Sequence, residues 1–423
     1  MLNNLAQRAD LDTPLLRSAG PVGACVTPAG PKQVFVWVLL GLTLALMPLY
    51  LFPSGGLQAV DLPILVLMAF TLFTFTSAEW QLISLLFISS AIFLAWSILV
   101  NAYFFTVFYK TCFFKPSAQW IYSLVLFFSF IILFHRLLGD PRTIPFLHGG
   151  LLVALILIPF VKGHADPGYA SRQTFSFNDP NQLADFAILG IATVLVLNYF
   201  YKTRAIPPSI ALFQRITSVA IILLAHVYVI LSASRAGLGC LVLLDLYIFW
   251  NLNRKAFIIA AFVLPVLFFS LKDSRLLVHQ TTAEDAPKAF ARLDADLLDI
   301  VIQRIAGRID FSDKSMLFGI GKCSGSPGLR EGYNSFVIER EAHNTLADII
   351  YAYGLIGLLL FCLFGVFYLR TAISVYFHIP ILLAFTPINI SQNFIRFRML
   401  WVFYALLFSL SMLHRTNRPR TSA

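Results

Sequence analysis

One histidine has the setting of a catalytic base. His343 stands where the long hydrophilic stretch of the chain, residues 272–342, runs into an apolar segment. A histidine has an ordinary pKa of about 6.5, so at neutral pH it is mostly the unprotonated base. If a helix begins a few residues earlier, Glu339 lies one turn back and can orient the ring. If the helix begins at Asn344, its dipole favours the same unprotonated form.

Arg235 is the first of several arginines whose placement indicates an anion site. It lies in a turn between two apolar segments that is too short to be a solvent-exposed loop. If the two apolar segments cross a membrane, an unpaired charge between them is costly. The side chain must then contact an anion, a group of carbonyls or a lipid headgroup. We favour a bound phosphate over a headgroup, because Ser234, Ala236 and Gly237 leave room for a ligand.

Arg172 precedes a second candidate anion site. A few residues later, Asp179 is followed by Pro180 and Asn181. Aspartate is a preferred helix N-cap and proline is favoured at the first helical position, so the pattern predicts a helix beginning at Pro180. Helix N-termini attract anions, which makes this start a second place for a phosphate, with Asn181 in support. A purely structural cap is the more common explanation.

Two arginines of the hydrophilic stretch, Arg304 and Arg308, are four residues apart on one helical face. Apolar residues recur at helical spacing over residues 289–309, so this part is predicted to form a helix lying on the membrane face. The two arginines either bind the same anion or form a solvated face. Asp294 and Asp296 form a pair that suits a divalent cation, but they fit the solvated face better, and we predict no metal and no cofactor.

The composition requires a membrane protein. Hydrophobic residues make up 58% of the chain and charged residues 12%, which excludes an ordinary soluble domain. Apolar runs long enough to cross a bilayer as helices recur throughout, and we predict an all-α polytopic membrane protein with about twelve such helices. The predicted spans are residues 33–52, 60–77, 82–101, 118–138, 144–161, 182–200, 212–232, 236–252, 256–271, 346–369, 371–388 and 397–413.

The distribution of Lys and Arg predicts which loops are cytoplasmic. With the N-terminus inside, the inner segments hold fourteen Lys and Arg and the short outer loops hold seven, the asymmetry that cytoplasmic loops usually show. Both termini are therefore predicted in the cytoplasm and the long loop outside. The net charge of +10 reflects this asymmetry and is no argument for nucleic acid. The predicted units are a cytoplasmic tail at 1–32, spans at 33–271, an outer loop domain at 272–345, spans at 346–413 and a cytoplasmic tail at 414–423.

These motifs, in this order around one large outer loop, resemble the superfamily of O-antigen ligases and O-antigen polymerases over about residues 170–360. The residues that carry the resemblance are Arg172 with Asp179-Pro180-Asn181, Ser234-Arg235-Ala236-Gly237, Arg304 with Gly319-Ile320-Gly321, and His343-Asn344-Thr345-Leu346 with Gly354-Leu355-Ile356-Gly357.

The resemblance implies a metal-independent, inverting, GT-C-like glycosyltransferase of the bacterial inner membrane that acts at the periplasmic face. It implies an undecaprenyl-pyrophosphate-linked O-antigen as donor and, for the ligase branch, lipid A–core oligosaccharide as acceptor. His343 is then the catalytic base, and Arg235 binds the pyrophosphate together with a loop arginine, which is Arg292, Arg304 or Arg308. The family usually has an aromatic residue shortly after the loop arginine, and this chain has none there. One loop of moderate length favours a ligase over a polymerase.

A transporter of lipids or polysaccharides is the alternative from a different class, since twelve helices is a common number among transporters. Its support in the sequence is Asp245, which lies within an apolar segment. Ionisable residues within a membrane often mark proton pathways. We see no matching pair of interrupted helices, and a folded outer loop before a histidine favours the enzyme.

Overall fold

The structure is a computed structural model of the 423-residue chain. It describes residues 30–51, 58–108, 113–162, 174–177, 179–202, 204–232, 234–252, 315–319, 321, 345–391 and 397–416.

The described residues form α-helices and short 3₁₀ turns, and no strand occurs among them. Among the described residues, eight helices precede the long hydrophilic stretch: α1 Pro31–Leu46, α2 Asp61–Phe73, α3 Ser77–Phe108, α4 Phe114–Leu137, α5 Ile144–Leu157, α6 Pro180–Tyr201, α7 Pro208–Ser232 and α8 Arg235–Leu252. Five lie within or after it: α9 Ser315–Phe318, α10 Thr345–Ala372, α11 His378–Ala384, α12 Thr386–Ser391 and α13 Arg398–Thr416.

Six helical segments among the described residues are long and apolar enough to cross a membrane. They correspond to α3, α4, α5, α6, α7 and α10, and the helices α1, α2 and α8 are apolar but shorter. The prediction of an all-α membrane protein is therefore confirmed. Of the twelve predicted spans, the one at 256–271 lies outside the described residues.

The core of the bundle surrounds α4 and α6. In the most apolar 18-residue stretch of α6, 83% of the residues are buried, whereas in the corresponding stretch of α3 only 39% are buried. Close packing elsewhere depends on small residues: a Cβ at Gly150 of α5 would lie 2.5 Å from the carbonyl oxygen of Gly41 in α1. Such close approach of backbones is how helices associate in a membrane.

Polar contacts join the helices at each of the two ends of the bundle. At one end, Gln33 donates to Asp140 (3.3 Å) and Tyr201 donates to the carbonyl of Leu138 (2.9 Å). At the other end, which we call the site end, α2, α4, α6, α8, α10 and α13 begin. There Tyr122 of α4 donates to Asp61 of α2.

Residues 371–388, predicted as a single span, are divided in the structure. α10 ends at Ala372, a turn follows, and two short helices, α11 and α12, cover residues 378–391. Proline explains the division, because it lacks the N–H that a continuous helix needs and is tolerated in the first turn. Pro380 and Pro387 lie in the first turns of α11 and α12.

Candidate functional site

The start of α6 has the cap that the sequence predicts. Asp179 is extended, at φ −140° and ψ 133°, and its carboxylate accepts a hydrogen bond from the N–H of Asn181 at 2.7 Å. Pro180 occupies the first helical position, as predicted. Because a carboxylate already neutralises this helix N-terminus, the cap is a poor place for a phosphate.

The start of α8 is capped by Ser234. Its Oγ accepts from the N–H of Gly237 at 3.3 Å, and its carbonyl accepts from the N–H of Leu238 at 2.8 Å. Arg235 is therefore the first residue of the helix. A cation at this position is repelled by the helix dipole, whereas an anion would be attracted by both the arginine and the positive end of that dipole. The start of α8, unlike that of α6, combines two sources of positive potential.

The small residues around Arg235 have structural tasks. A Cβ at Gly237 would lie 2.6 Å from the Cβ of Ala184 in α6, so only glycine allows this contact between the helices. Ser234 is 1% exposed and serves as the cap. These small residues were expected to leave room for a ligand. In the structure they instead hold the first turn of α8 against the first turns of α6.

A glycine motif near the end of the long loop contacts the glycine motif of α10. Gly319 and Gly321 have positive φ, as does Gly354 in the middle of α10. The N–H of Gly321 donates to the carbonyl of Ala352 at 2.9 Å, and a Cβ at Gly354 would lie 2.2 Å from the carbonyl oxygen of Leu317. The end of the loop region is thus docked on the helix that begins two residues after His343.

A buried ion pair stabilises the site end and was not anticipated from the sequence. Asp61 is 2% exposed and accepts from the N–H of Gln58 (2.6 Å), the hydroxyl of Tyr122 (2.7 Å) and Nη2 of Arg398 (2.9 Å). The Nε of Arg398 lies 2.8 Å from the other carboxylate oxygen of Asp61. One carboxylate therefore joins α2, α4 and α13.

Tyr50 connects this ion pair to the segment before α6. Its N–H donates to the carbonyl of Ser176 at 3.1 Å, and its ring lies 5.3 Å from that of Phe177. The hydroxyl of Tyr50 interacts electrostatically with Arg398. The ion pair thus supports the segment that ends at the Asp179 cap.

Removing one partner of this pair should destabilise the protein strongly. We expect Asp61→Asn to lower the free energy of unfolding by about 3–5 kcal/mol, because it leaves the buried guanidinium without its counter-charge. The double variant Asp61→Leu/Arg398→Met should recover most of that loss. Unfolding of the purified protein in detergent measures both changes.

The matched control is Arg142→Gln at the opposite end of the bundle. Its pair with Asp140 is more open to solvent, with side chains 27% and 19% exposed, and its loss should cost about 1 kcal/mol or less. Equal losses for Asp61→Asn and Arg142→Gln would show that the buried pair is not a main support of the site end.

Asp245, noted in the sequence as an intramembrane acid, is paired with a histidine. Its two carboxylate oxygens lie 3.0 and 3.1 Å from Nε2 of His226 in α7. Nδ1 of His226 lies 2.7 Å from the carbonyl oxygen of Ile222 and must donate to it. One proton is then shared between Nε2 and the carboxylate, so the pair carries no net charge and joins α7 to α8.

The remaining predicted site residues lie outside the described residues. These are His343, Arg172, Arg304, Arg308, Glu339 and Asn344, together with Asp294 and Asp296 of the alternative metal site. The side chain of Arg235 and the loop domain at 272–345, apart from residues 315–319, 321 and 345, are likewise not described. Within the part of the chain that is described, no three His, Cys, Asp or Glu residues are grouped as metal ligands.

No protein-family model matches the chain, and no curated protein matches it.

Proposed function

We propose that the chain is an O-antigen ligase: a GT-C-like glycosyltransferase that moves a glycan from undecaprenyl pyrophosphate to lipid A–core oligosaccharide. In this proposal it spans the bacterial inner membrane about twelve times, with the reaction at the periplasmic face and both termini in the cytoplasm. The predicted substrate residues are His343 as base and Arg172, Arg235, Arg304 and Arg308 as candidates for binding the pyrophosphate.

The observation that carries the proposal is the start of α8. Arg235 is the first residue of a helix capped by Ser234. In that position an arginine is disfavoured by the helix dipole by about 0.3–1 kcal/mol unless an anion is present. A pyrophosphate carries several negative charges and accepts hydrogen bonds from arginine in a bidentate manner. A lipid pyrophosphate bound here therefore explains an otherwise unfavourable arrangement.

The position of α10 supports the proposal further. α8 and α10 both begin at the site end, and the residues that immediately precede α10 are His343 and Asn344. Within the long loop, Leu317, Gly319 and Gly321 contact α10 at Ala352 and Gly354. The proposal therefore has a base before α10 and a cation at the start of α8 act at the same end of the bundle.

The proposed reaction is a displacement at the anomeric carbon of the donor sugar. The acceptor hydroxyl oxygen attacks that carbon from the face opposite the pyrophosphate, so the configuration inverts. The new bond joins the acceptor oxygen to the anomeric carbon, and the bond from that carbon to the pyrophosphate oxygen breaks. His343 takes the hydroxyl proton, and the arginines stabilise the negative charge that grows on the leaving pyrophosphate.

This reaction has no need for a nucleotide, because the donor pyrophosphate already stores the energy of transfer. In a metal-dependent variant, Asp294 and Asp296 would bind the cation that neutralises the pyrophosphate. The proposal gives that task to arginine. Transfer that is abolished by EDTA and restored by Mn²⁺ would favour the metal-dependent variant.

An O-antigen polymerase of the same superfamily is the second candidate. The two enzymes share the donor and the proposed chemistry and differ in the acceptor. The experiment offers the purified protein a lipid-linked donor with either lipid A–core or a second lipid-linked glycan. A ligase modifies the lipid A–core, and extension of the lipid-linked glycan alone would establish a polymerase.

A transporter predicts a different result for Asp245. If this acid were part of a proton pathway, Asp245→Asn would abolish function. In the proposed enzyme it is a contact between α7 and α8, because His226 neutralises it within the membrane. We therefore expect Asp245→Asn to transfer glycan near the wild-type rate, because the amide still donates to Nε2 of His226.

The matched variant is Asp245→Leu, which removes the hydrogen bond altogether. It should lower the stability of the protein by about 1 kcal/mol, the usual contribution of a hydrogen bond between membrane helices. Unfolding and transfer assays on both variants measure these effects. Inactive but stably folded Asp245→Asn protein would favour the transporter.

A further inference from the structure

α10 is interrupted inside its membrane-spanning segment. Gly354 has φ 70° and ψ −173°, which separates residues 345–353 from the remainder of the helix. Carbonyl groups just before such a break lose their partners one turn further along. In the interior of a membrane no water replaces those partners, so each carbonyl must be satisfied by other parts of the protein.

Two donors from distant parts of the chain satisfy these carbonyls. The N–H of Gly321 donates to the carbonyl of Ala352 at 2.9 Å. The indole Nε1–H of Trp96, in α3, donates to the carbonyl of Tyr353 at 2.9 Å. Trp96 thus contributes a side-chain hydrogen bond to a carbonyl at this break.

The ring of Trp96 also packs against the docked segment and against the part of α10 that follows the break. It lies 6.2 Å from the ring of Phe318, in the segment that returns from the long loop. A Cβ at Gly357, in the second part of α10, would lie 3.4 Å from the indole. Trp96 therefore contacts the first part of α10, the second part and the docked segment together.

We infer that Trp96 is a positioning residue for the first part of α10, residues 345–353, and through it for His343. A continuous helix would fix the direction of these nine residues by its own hydrogen bonds, but the break at Gly354 removes that constraint. Their direction is then set by external contacts, of which the indole hydrogen bond is one. The inference rests on the proposed function for the role of His343.

The first test measures amide hydrogen exchange in residues 345–353 of the purified protein. Trp96→Phe keeps an aromatic ring but removes the donor. Exchange in the segment should become about tenfold faster or more, because a carbonyl within the membrane is left without its hydrogen bond. Trp96→His, which restores an N–H donor at a similar distance from the backbone, should recover part of the protection.

Trp37→Phe is the matched control. Trp37 is 3% exposed, and its Nε1 has no hydrogen-bond partner among the described residues. The substitution thus removes the same ring volume from a buried site without removing a hydrogen bond. Exchange in residues 345–353 should stay at the wild-type rate in this variant, and unchanged exchange in Trp96→Phe would overturn the inference.

The second test measures glycan transfer by the same variants. If Trp96 positions the base, Trp96→Phe should lower kcat while KM for the lipid-linked donor stays near the wild-type value, and Trp96→His should recover part of kcat. Equal losses of kcat in Trp96→Phe and Trp37→Phe would reduce Trp96 to a packing residue. If the wild-type protein transfers no glycan, the proposed function and the link to His343 both fail, while the exchange result still decides whether Trp96 holds residues 345–353.

Discussion

Replacing His343 by alanine should abolish glycan transfer while the protein still inserts into the membrane. A positioned general base contributes about 10²–10⁴-fold to the rate of such a reaction, and here no other group is proposed to accept the proton of the acceptor hydroxyl. The loss should appear in kcat rather than in KM for the donor, because the base acts in the transition state and not in binding the pyrophosphate.

The measurement is transfer of glycan to lipid A–core by purified variants at equal protein concentration. His414→Ala is the control, because His414 lies in the last turn of α13 at the opposite end of the bundle, and its transfer should match the wild type. Donor binding by the His343→Ala protein shows whether the substrate site is still formed. Near-normal transfer by that protein would remove His343 from the mechanism.

Arg235→Lys should lose most of the transfer activity although it keeps the positive charge. Lysine is a point charge and cannot form the planar, bidentate pair that arginine makes with a phosphate. A lost hydrogen bond to a charged group costs about 1.5–3 kcal/mol, which corresponds to a reduction of roughly ten- to a hundredfold. Because the cap by Ser234 uses its own side chain and backbone, the helix start should remain intact.

The matched control is Arg204→Lys at the opposite end. Arg204 lies 4.0 Å from the ring centre of Phe200 and has no proposed contact with substrate. The same change of chemistry should leave transfer unaffected there, and a simple assay of both variants makes the comparison. Full activity of Arg235→Lys would show that a positive charge alone is enough to bind the pyrophosphate, or that Arg235 contacts a lipid headgroup.

The helices themselves could be predicted because their signal is local. An apolar run of sufficient length must be helical in a membrane, whatever the remainder of the chain does. The cap of α6 is also local, since Asp179 and Pro180 are adjacent to the helix they start. The cap is confirmed, and six of the described helical segments are long and apolar enough to cross a membrane.

The contacts between distant residues could not be predicted from one sequence. Asp61 and Arg398 are 337 positions apart, and Trp96 and Tyr353 are 257 apart. Nothing in either local sequence indicates the partner. The break at Gly354 was missed for a related reason: glycine alone does not interrupt a membrane helix, and the interruption persists because Leu317, Gly321 and Trp96 fill the space and satisfy the carbonyls.

The site combines local and non-local features in the same way. The motif at residues 234–237 is recognisable in the sequence as a short turn that contains an arginine, which is a local pattern. That Gly237 must be glycine depends on Ala184 of a different helix, 2.6 Å from the position of an added Cβ. The loop arginines and His343 belong to residues beyond the described ones, so their roles stay predictions.

Transfer in detergent tests the central claim most directly, because no compartments exist there and a transporter has no activity to show. Purified protein is incubated with an undecaprenyl-pyrophosphate-linked glycan and lipid A–core, with and without EDTA. The proposed function predicts glycosylated lipid A–core at the same rate in both samples. No product in detergent, together with movement of the lipid-linked glycan across sealed vesicles by the same preparation, would contradict it.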